Sequence, residues 1–164
     1  MPDNLSDCDD TLVMLDALRR MPATVDIGAA GTAMRFLTAY FAATPGEHVI
    51  TGTERMRHRP IRALVDALRR LGADITYDGD EGYPPLRING RRLEGGRLEM
   101  PGGISSQYIS ALLMLGPVLE RGLELRLTGE VVSRPYIDLT LCMMRDYGAD
   151  AEWTGVDTVT VRPK

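Results

Sequence analysis

The sequence predicts an α+β fold made of repeated β-α-β-α-β-β units, with sheets that mix parallel and antiparallel strands. Three observations predict it. The first is an internal repeat. Thr51-Gly52 returns as Thr128-Gly129, Arg59-Pro60 as Arg134-Pro135, and Leu71-Gly72-Ala73-Asp74 as Tyr147-Gly148-Ala149-Asp150, at offsets of 77, 75 and 76 residues. Strand end, helix start and helix end recur in one order, so one supersecondary unit is used twice. The second is alternation: short apolar strands are separated by segments with helical periodicity. The third is that each unit closes on two short strands.

The elements follow in chain order. Asp9 to Arg20 is an amphipathic helix with Leu12, Leu15, Ala17 and Leu18 apolar. Thr24 to Ile27 is a strand, Gly28 to Gly31 a small-residue turn, and Thr32 to Ala43 a helix ended by Thr44-Pro45-Gly46. His48 to Thr51 is a strand. Arg55, Arg57 and Arg59 alternate after it, and an extended backbone places them on one side. Pro60 to Leu71 has the clearest helical stripe (Ile61, Leu64, Val65, Leu68, Leu71), with Pro60 at its first position and Gly72 at its end. Asp74 to Tyr77 and Leu86 to Asn89 are strands. Arg97 to Met100 opens the second unit, followed by the turn Pro101-Gly102-Gly103. Ser105 to Leu119 is a helix, Leu123 to Thr128 a strand, and Pro135 to Tyr147 the second Arg-Pro helix. Ala151 to Trp153 and Thr158 to Val161 are the last strands. Residues 1–164 read as a single domain of about two and a half units. The first helix has no strand before it, so the chain is expected to derive from something longer.

Composition excludes several classes. Hydrophobic residues are 44% and charged residues 26%, as in a soluble core. The longest apolar segment, Ala111 to Leu119, is interrupted by Gly116 and Pro117 and falls short of the roughly 18 residues of a membrane span. The start of the chain is acidic (Asp3, Asp7, Asp9, Asp10), unlike a signal peptide. Cys8 and Cys142 have no metal-like spacing and read as two reduced, partly buried thiols of a cytoplasmic protein. A net charge of −4 argues against general nucleic-acid affinity. The cations are 18 arginines and a single lysine, Lys164, so any anion site must be built from guanidinium forks.

Candidate chemistry sits at helix starts. Ser105-Ser106-Gln107 follows two glycines and opens a helix. Two hydroxyls and unpaired backbone N–H groups there suit a phosphate, while simple N-capping by serine is the competing reading. Gly31-Thr32-Ala33-Met34-Arg35 opens an equivalent helix whose small residues allow close approach of a ligand, or merely tight packing. Arg59 and Arg134 point from loops at helix starts. Ser133 caps the last helix, binds a ligand, or does both. His48 and His58 read as surface residues. The sequence has no paired carboxylates that stand out, no Ser-His-Asp set, no P-loop and no metal cluster.

Five segments in order resemble the enolpyruvylshikimate-phosphate synthases (3-phosphoshikimate 1-carboxyvinyltransferases). They are Gly31-Thr32-Ala33-Met34-Arg35, Arg55-Met56-Arg57-His58-Arg59-Pro60-Ile61, Tyr83-Pro84-Pro85-Leu86, Ser105-Ser106-Gln107 through Met114, and Ser133-Arg134-Pro135-Tyr136-Ile137-Asp138. The resemblance spans nearly the whole chain and implies an enolpyruvyl-transferase-like fold of two lobes, each with three such units. It implies transfer of the enolpyruvyl group of phosphoenolpyruvate to the 5-hydroxyl of shikimate 3-phosphate, with no metal or organic cofactor, in chorismate and aromatic amino-acid synthesis. Carried over by position, Ser105, Ser106, Gln107 and Ser133 are expected to hold shikimate 3-phosphate, with Tyr136 beside its ring. Gly31 (through its backbone), Arg59 and Gln107 are expected on the phosphoenolpyruvate side. Ala29 stands where the family usually has Asn, and Phe36 where Pro is common. The family's N-terminal Gly-Ser-Lys-Ser stretch and its second lobe, with the catalytic Asp, Glu and Lys, have no counterpart here. The chain is therefore expected to be a substrate-binding part whose partner is that second lobe, inactive alone.

Two alternatives remain at this stage. One is a free-standing binding or structural module that reuses the fold. The other is the related transferase acting on UDP-N-acetylglucosamine, which needs a reactive cysteine on a mobile loop. Cys8 precedes a helix and Cys142 lies inside one, which disfavours it.

Overall fold

The computed structural model describes residues 4–164. Its elements are α1 (Asp9–Arg20), β1 (Thr24–Asp26), α2 (Gly31–Ala43), β2 (Gly46–Thr51), α3 (Glu54–Arg57), α4 (Arg62–Arg70), β3 (Asp74–Tyr77), β4 (Leu86–Gly90), β5 (Gly96–Pro101), α5 (Ser106–Leu115), β6 (Leu123–Thr128), α6 (Arg134–Asp146), β7 (Ala151–Trp153) and β8 (Thr158–Val161), with a 3-10 turn over Gly116–Val118.

Two four-stranded sheets form, in the orders β1-β2-β4-β3 and β5-β6-β8-β7. In each, the first pair is parallel (β1 with β2, β5 with β6) and the others are antiparallel. The two units thus share one topology, as the repeat requires. Alternation gives each sheet one apolar face: Ile50, Ile75, Leu86 and Ile88 are buried in the first, Leu98, Leu125, Val159 and Val161 in the second. The opposite faces carry exposed ion pairs such as Arg87–Asp78 and Arg126–Asp157.

Helices α2 and α5 are buried almost all round and pack on each other. A helix that is apolar on most sides must sit inside. The repeated helices α4 and α6 both end on a glycine at positive φ, +102° for Gly72 and +80° for Gly148, a backbone state that favours glycine at a helix end. The two differ in what covers them. Both bury one matching stripe (Ile61, Val65 and Leu68; Ile137, Leu141 and Met144), but Leu64 and Leu71 are buried as well, whereas Leu139 and Met143 on α6, and Tyr147, the repeat mate of Leu71, are exposed. These three residues join Phe36 and Met114 along an open apolar groove of about 520 Å³. Phe36 of α2 forms part of the wall of this groove.

Several expectations are corrected. The arginine run is not extended: Glu54–Arg57 form a helical turn capped by Thr53, whose hydroxyl accepts the Met56 amide at 3.4 Å. Thr53 before an acidic first turn is a helix start that the alternation of arginines obscured. Pro60 precedes α4 rather than opening it, and the helix from Ser105 changes to a 3-10 turn at Gly116, ahead of Pro117. His48 is buried, not on the surface. Its ring stacks on Phe41, centroids 4.1 Å apart, and its Nδ1 bonds the Pro22 carbonyl at 2.8 Å. Both cysteines are exposed rather than partly buried, because Cys8 precedes α1 and Cys142 lies on the outer side of α6.

Candidate functional site

Strands β1 and β2 run parallel, as do β5 and β6, and each of these strands feeds a helix. The helix starts therefore gather beyond the carboxyl ends of the parallel strands, where open α/β sheets place their ligands. Three contacts draw them together. Gln107, in the first turn of α5, donates its side-chain amide to the Thr32 hydroxyl at the start of α2 (3.1 Å). The Tyr108 phenol donates to the Pro60 carbonyl, just before α4 (2.6 Å). The turn before α5 lies against the turn before α6: the Gly102 amide bonds the Thr128 carbonyl at 2.8 Å, and a Cβ on Gly102 would sit 2.9 Å from the Glu130 carbonyl oxygen.

The start of α2 is the most crowded part. A Cβ on Gly31 would lie 2.5 Å from Arg59 Nη1 and 3.1 Å from Arg35 Nη1. Two guanidiniums thus flank this one residue, and a side chain there would push the end of Arg59 aside. Neither is within ion-pair distance of a carboxylate among the described residues. Arg35 is 5% exposed, donates to the Gly31 carbonyl at 2.8 Å, and has a buried Nε without a partner among the described residues. Burying a cation beside another without an acid is costly unless an anion is to be received. Asp10 of α1 takes the amides of Thr32 (2.8 Å) and Ala33 (3.1 Å), and no described hydrogen bond engages the Gly31 amide. Arg55 and Arg59 line a cavity of about 430 Å³ with Ala29, Thr53 and Met56. Arg57 instead folds back onto the Gly52 carbonyl at 3.1 Å.

At the start of α5, Ser105 caps the helix weakly, its hydroxyl accepting the Gln107 amide at 3.4 Å. The hydroxyls of Ser106 and Ser133 have no partner among the described residues, and Ser133 stands at the cap position of α6 without a side-chain cap bond. Tyr136, in the first turn of α6, is 66% exposed. Gly31, Arg59 and Gln107 are thus brought together with the α5 serines. Ser133 and Tyr136 lie on the adjoining turn and touch none of them by a described hydrogen bond.

Sequence reasoning missed Asp10, Thr32, Arg35 and Tyr108 as parts of this cluster. The pair Asp9-Asp10 was legible only as an acidic helix start. Its service to another helix 22 residues away depends on how α1 packs. No group of His, Cys, Asp or Glu able to hold a metal occurs among the described residues.

The comparisons fit this geometry. Among solved structures, the EPSP synthase of Acinetobacter baumannii superposes with a TM-score of 0.82 at 24% identity, covering 97% of this chain and 40% of that one. The enolpyruvyl transferase NikO of Streptomyces tendae superposes at 0.58 and 19% identity, over 78% of this chain and 29% of that one. The fold is therefore that of the enolpyruvyl transferases.

The profile of the family EPSP synthase (3-phosphoshikimate 1-carboxyvinyltransferase) matches residues 19–164, and the chain belongs to that family. The 3-phosphoshikimate 1-carboxyvinyltransferase of Bacteroides fragilis is 63% identical over 164 residues, all of this chain and 40% of the relative. That of Haemophilus influenzae is 52% identical over 129 residues, 77% of this chain and 30% of the relative. The chain thus spans about 40% of the length of the first of these. No helix among the described residues is long and apolar enough to cross a membrane.

Proposed function

We propose that the chain is a single substrate-binding domain of a 3-phosphoshikimate 1-carboxyvinyltransferase of the cytoplasm, acting with the rest of a longer, two-lobed enzyme. In this reading Ser105, Ser106, Gln107 and Ser133 hold shikimate 3-phosphate through helix-start hydroxyls and amides, and Tyr136 lies beside its ring. The Gly31 amide, Arg59 and Gln107 face phosphoenolpyruvate. The 5-hydroxyl of the first substrate adds to the enolpyruvyl carbon of the second, and inorganic phosphate leaves. Free hydroxyls at a positive helix end suit the sugar-like phosphate, and a guanidinium fork suits the second anion. The observation that carries the reading is the Gln107–Thr32 bond, which joins the two anion-facing helix starts.

The residues named here bind and orient, and none is a proton-transfer group. The second lobe is the source of that chemistry, and closure over the substrates would exclude water. The purified chain is therefore expected to show no turnover, and measurable turnover would overturn the reading of a part that needs its second lobe. Binding is tested by calorimetric titration with shikimate 3-phosphate, with plain shikimate as control. Binding of the phosphorylated compound alone is expected. Replacing Ser105 and Ser106 with Ala should weaken it at least several-fold, since each charge-assisted hydrogen bond contributes about 1.5–3 kcal/mol. Equal affinity in that variant would remove both serines from the site.

A further inference from the structure

We propose that Tyr108 is a positioning residue for Arg59, fixing the Pro60 carbonyl with its hydroxyl and so holding the Arg59 guanidinium against Gly31. The anion-holding role of Arg59 is taken from the proposed function; the positioning itself is a separate claim.

Arg59 lies in the short link between α3 and α4. Its backbone is pinned at three points. The Arg59 amide donates to the Met56 carbonyl (3.0 Å), and the Ile61 amide donates to the Gly82 carbonyl (2.9 Å). Both contacts come from within the first unit. The third is the Tyr108 phenol on the Pro60 carbonyl, 2.6 Å, reaching across from the second unit over 48 residues of sequence. It acts on the Pro60–Ile61 peptide, one residue beyond Arg59, the same peptide whose N–H is held by Gly82. Proline fixes its own φ, so holding its carbonyl fixes the direction in which the chain leaves Arg59.

The same ring faces the other guanidinium. Arg35 Cζ lies 5.6 Å from the Tyr108 ring centroid, within cation–π range, and Arg35 donates to the Gly31 carbonyl. A closed circuit results: Gly31, Arg35, Tyr108, Pro60, Arg59 and back to Gly31. Tyr108 is the one member on α5, the helix whose start carries Ser105 and Ser106. A shift of α5 is thereby passed to Arg59. A phenylalanine would fill the same space and keep the contact with Arg35, but could not hold the carbonyl, so the hydroxyl is the element that positions.

The test is Tyr108→Phe in this chain, with Arg59 Nε–Hε followed by NMR relaxation and assigned through Arg59→Lys. The expected result is a clear fall in the order parameter of Arg59. Arg69, bonded to the Ile75 carbonyl at 3.0 Å and 2.6 Å, serves as internal control and stays unchanged. 4-Aminophenylalanine at position 108, which restores an N–H donor, recovers the order. In titrations with phosphoenolpyruvate, Tyr108→Phe weakens binding about 2- to 10-fold, the range of one neutral hydrogen bond. The Tyr108→Phe, Arg59→Lys double variant loses no more than Arg59→Lys alone, because the two act as one. An unchanged Arg59 order parameter in a folded Tyr108→Phe chain overturns the proposal, as does equal loss at Arg69. Failure of phosphoenolpyruvate to bind the parent chain counts against the reading of Arg59 as an anion holder, while the relaxation result still decides the positioning.

Discussion

A buried hydroxyl shows how one atom sets a pH limit. Tyr77 ends β3, and its hydroxyl is buried without a partner among the described residues. Burial pushes the phenol above its ordinary value of 10, and the Arg69 guanidinium, 5.1 Å from the ring centroid, offsets only part of this. The folded chain therefore prefers the neutral phenol more strongly than the unfolded chain does. Its stability is intact below about pH 10 and is lost as pH rises through the raised folded value. Tyr77→Phe removes both the unpartnered group and the dependence. Its melting temperature should equal or exceed that of the parent at pH 7, by at most about 1 kcal/mol of stability, with the gap widening near pH 11. A variant less stable at both values would show that the hydroxyl has a partner after all. At this scale the sequence was least informative. Arg59 and the serines were legible as candidates for an anion site because their chemistry is local. Asp10 on the α2 amides, Thr32 on Gln107 and the bond of His48 to the Pro22 carbonyl were not, since each joins positions 22 to 75 residues apart whose meeting depends on packing.

Among the elements, α4 and α6 are the sharpest comparison, because each buries one matching stripe and the two differ in what covers the rest. Leu64 of α4 is 0% exposed and Leu139 of α6 is 57% exposed. Burial, rather than propensity, is what separates the two leucines. Leu64→Ala should cost about 2–5 kcal/mol, as expected for a core leucine. Leu139→Ala should change stability by less than about 0.5 kcal/mol. Chemical denaturation of both variants checks this, and equal losses would mean that Leu139 is covered in solution. The helical stripe of α4 and the Arg-Pro start of α6 were plain in the sequence, and so was the shared unit, because periodicity and glycine punctuation are local signals. The turn α3 was not, because four residues are too few to show a helical period. The exposed outer side of α6 was not either: Leu139, Met143 and Tyr147 recur at i, i+4 and i+8, and spacing cannot say whether a partner is present.

Taken whole, the molecule joins its two units through one core rather than a linker. Buried residues of both sheets form a single cluster, with α2 against α5 at its centre. The Gln107–Thr32 and Tyr108–Pro60 bonds cross the same boundary at the candidate site. A boundary this apolar should make unfolding all-or-none, since opening either unit exposes the other. The sole tryptophan provides the probe. Trp153 lies in β7 of the second unit, its indole donating to Asp138 at 2.7 Å under the Arg134 guanidinium. Leu37 lies on α2 of the first unit and is 1% exposed. Leu37→Ala should lower the midpoint seen by Trp153 fluorescence as much as the midpoint seen by far-ultraviolet circular dichroism. If the dichroism splits into two steps while the tryptophan midpoint stays in place, the units unfold separately. A shared transition has a functional corollary. On the proposed function, shikimate 3-phosphate held at the start of α5 would stabilise the α2 side as well, adding RT ln(1 + [L]/Kd) to the stability and raising both midpoints together. In that reading, occupation of the serine-lined start is coupled to the seat of Arg59 through the shared core.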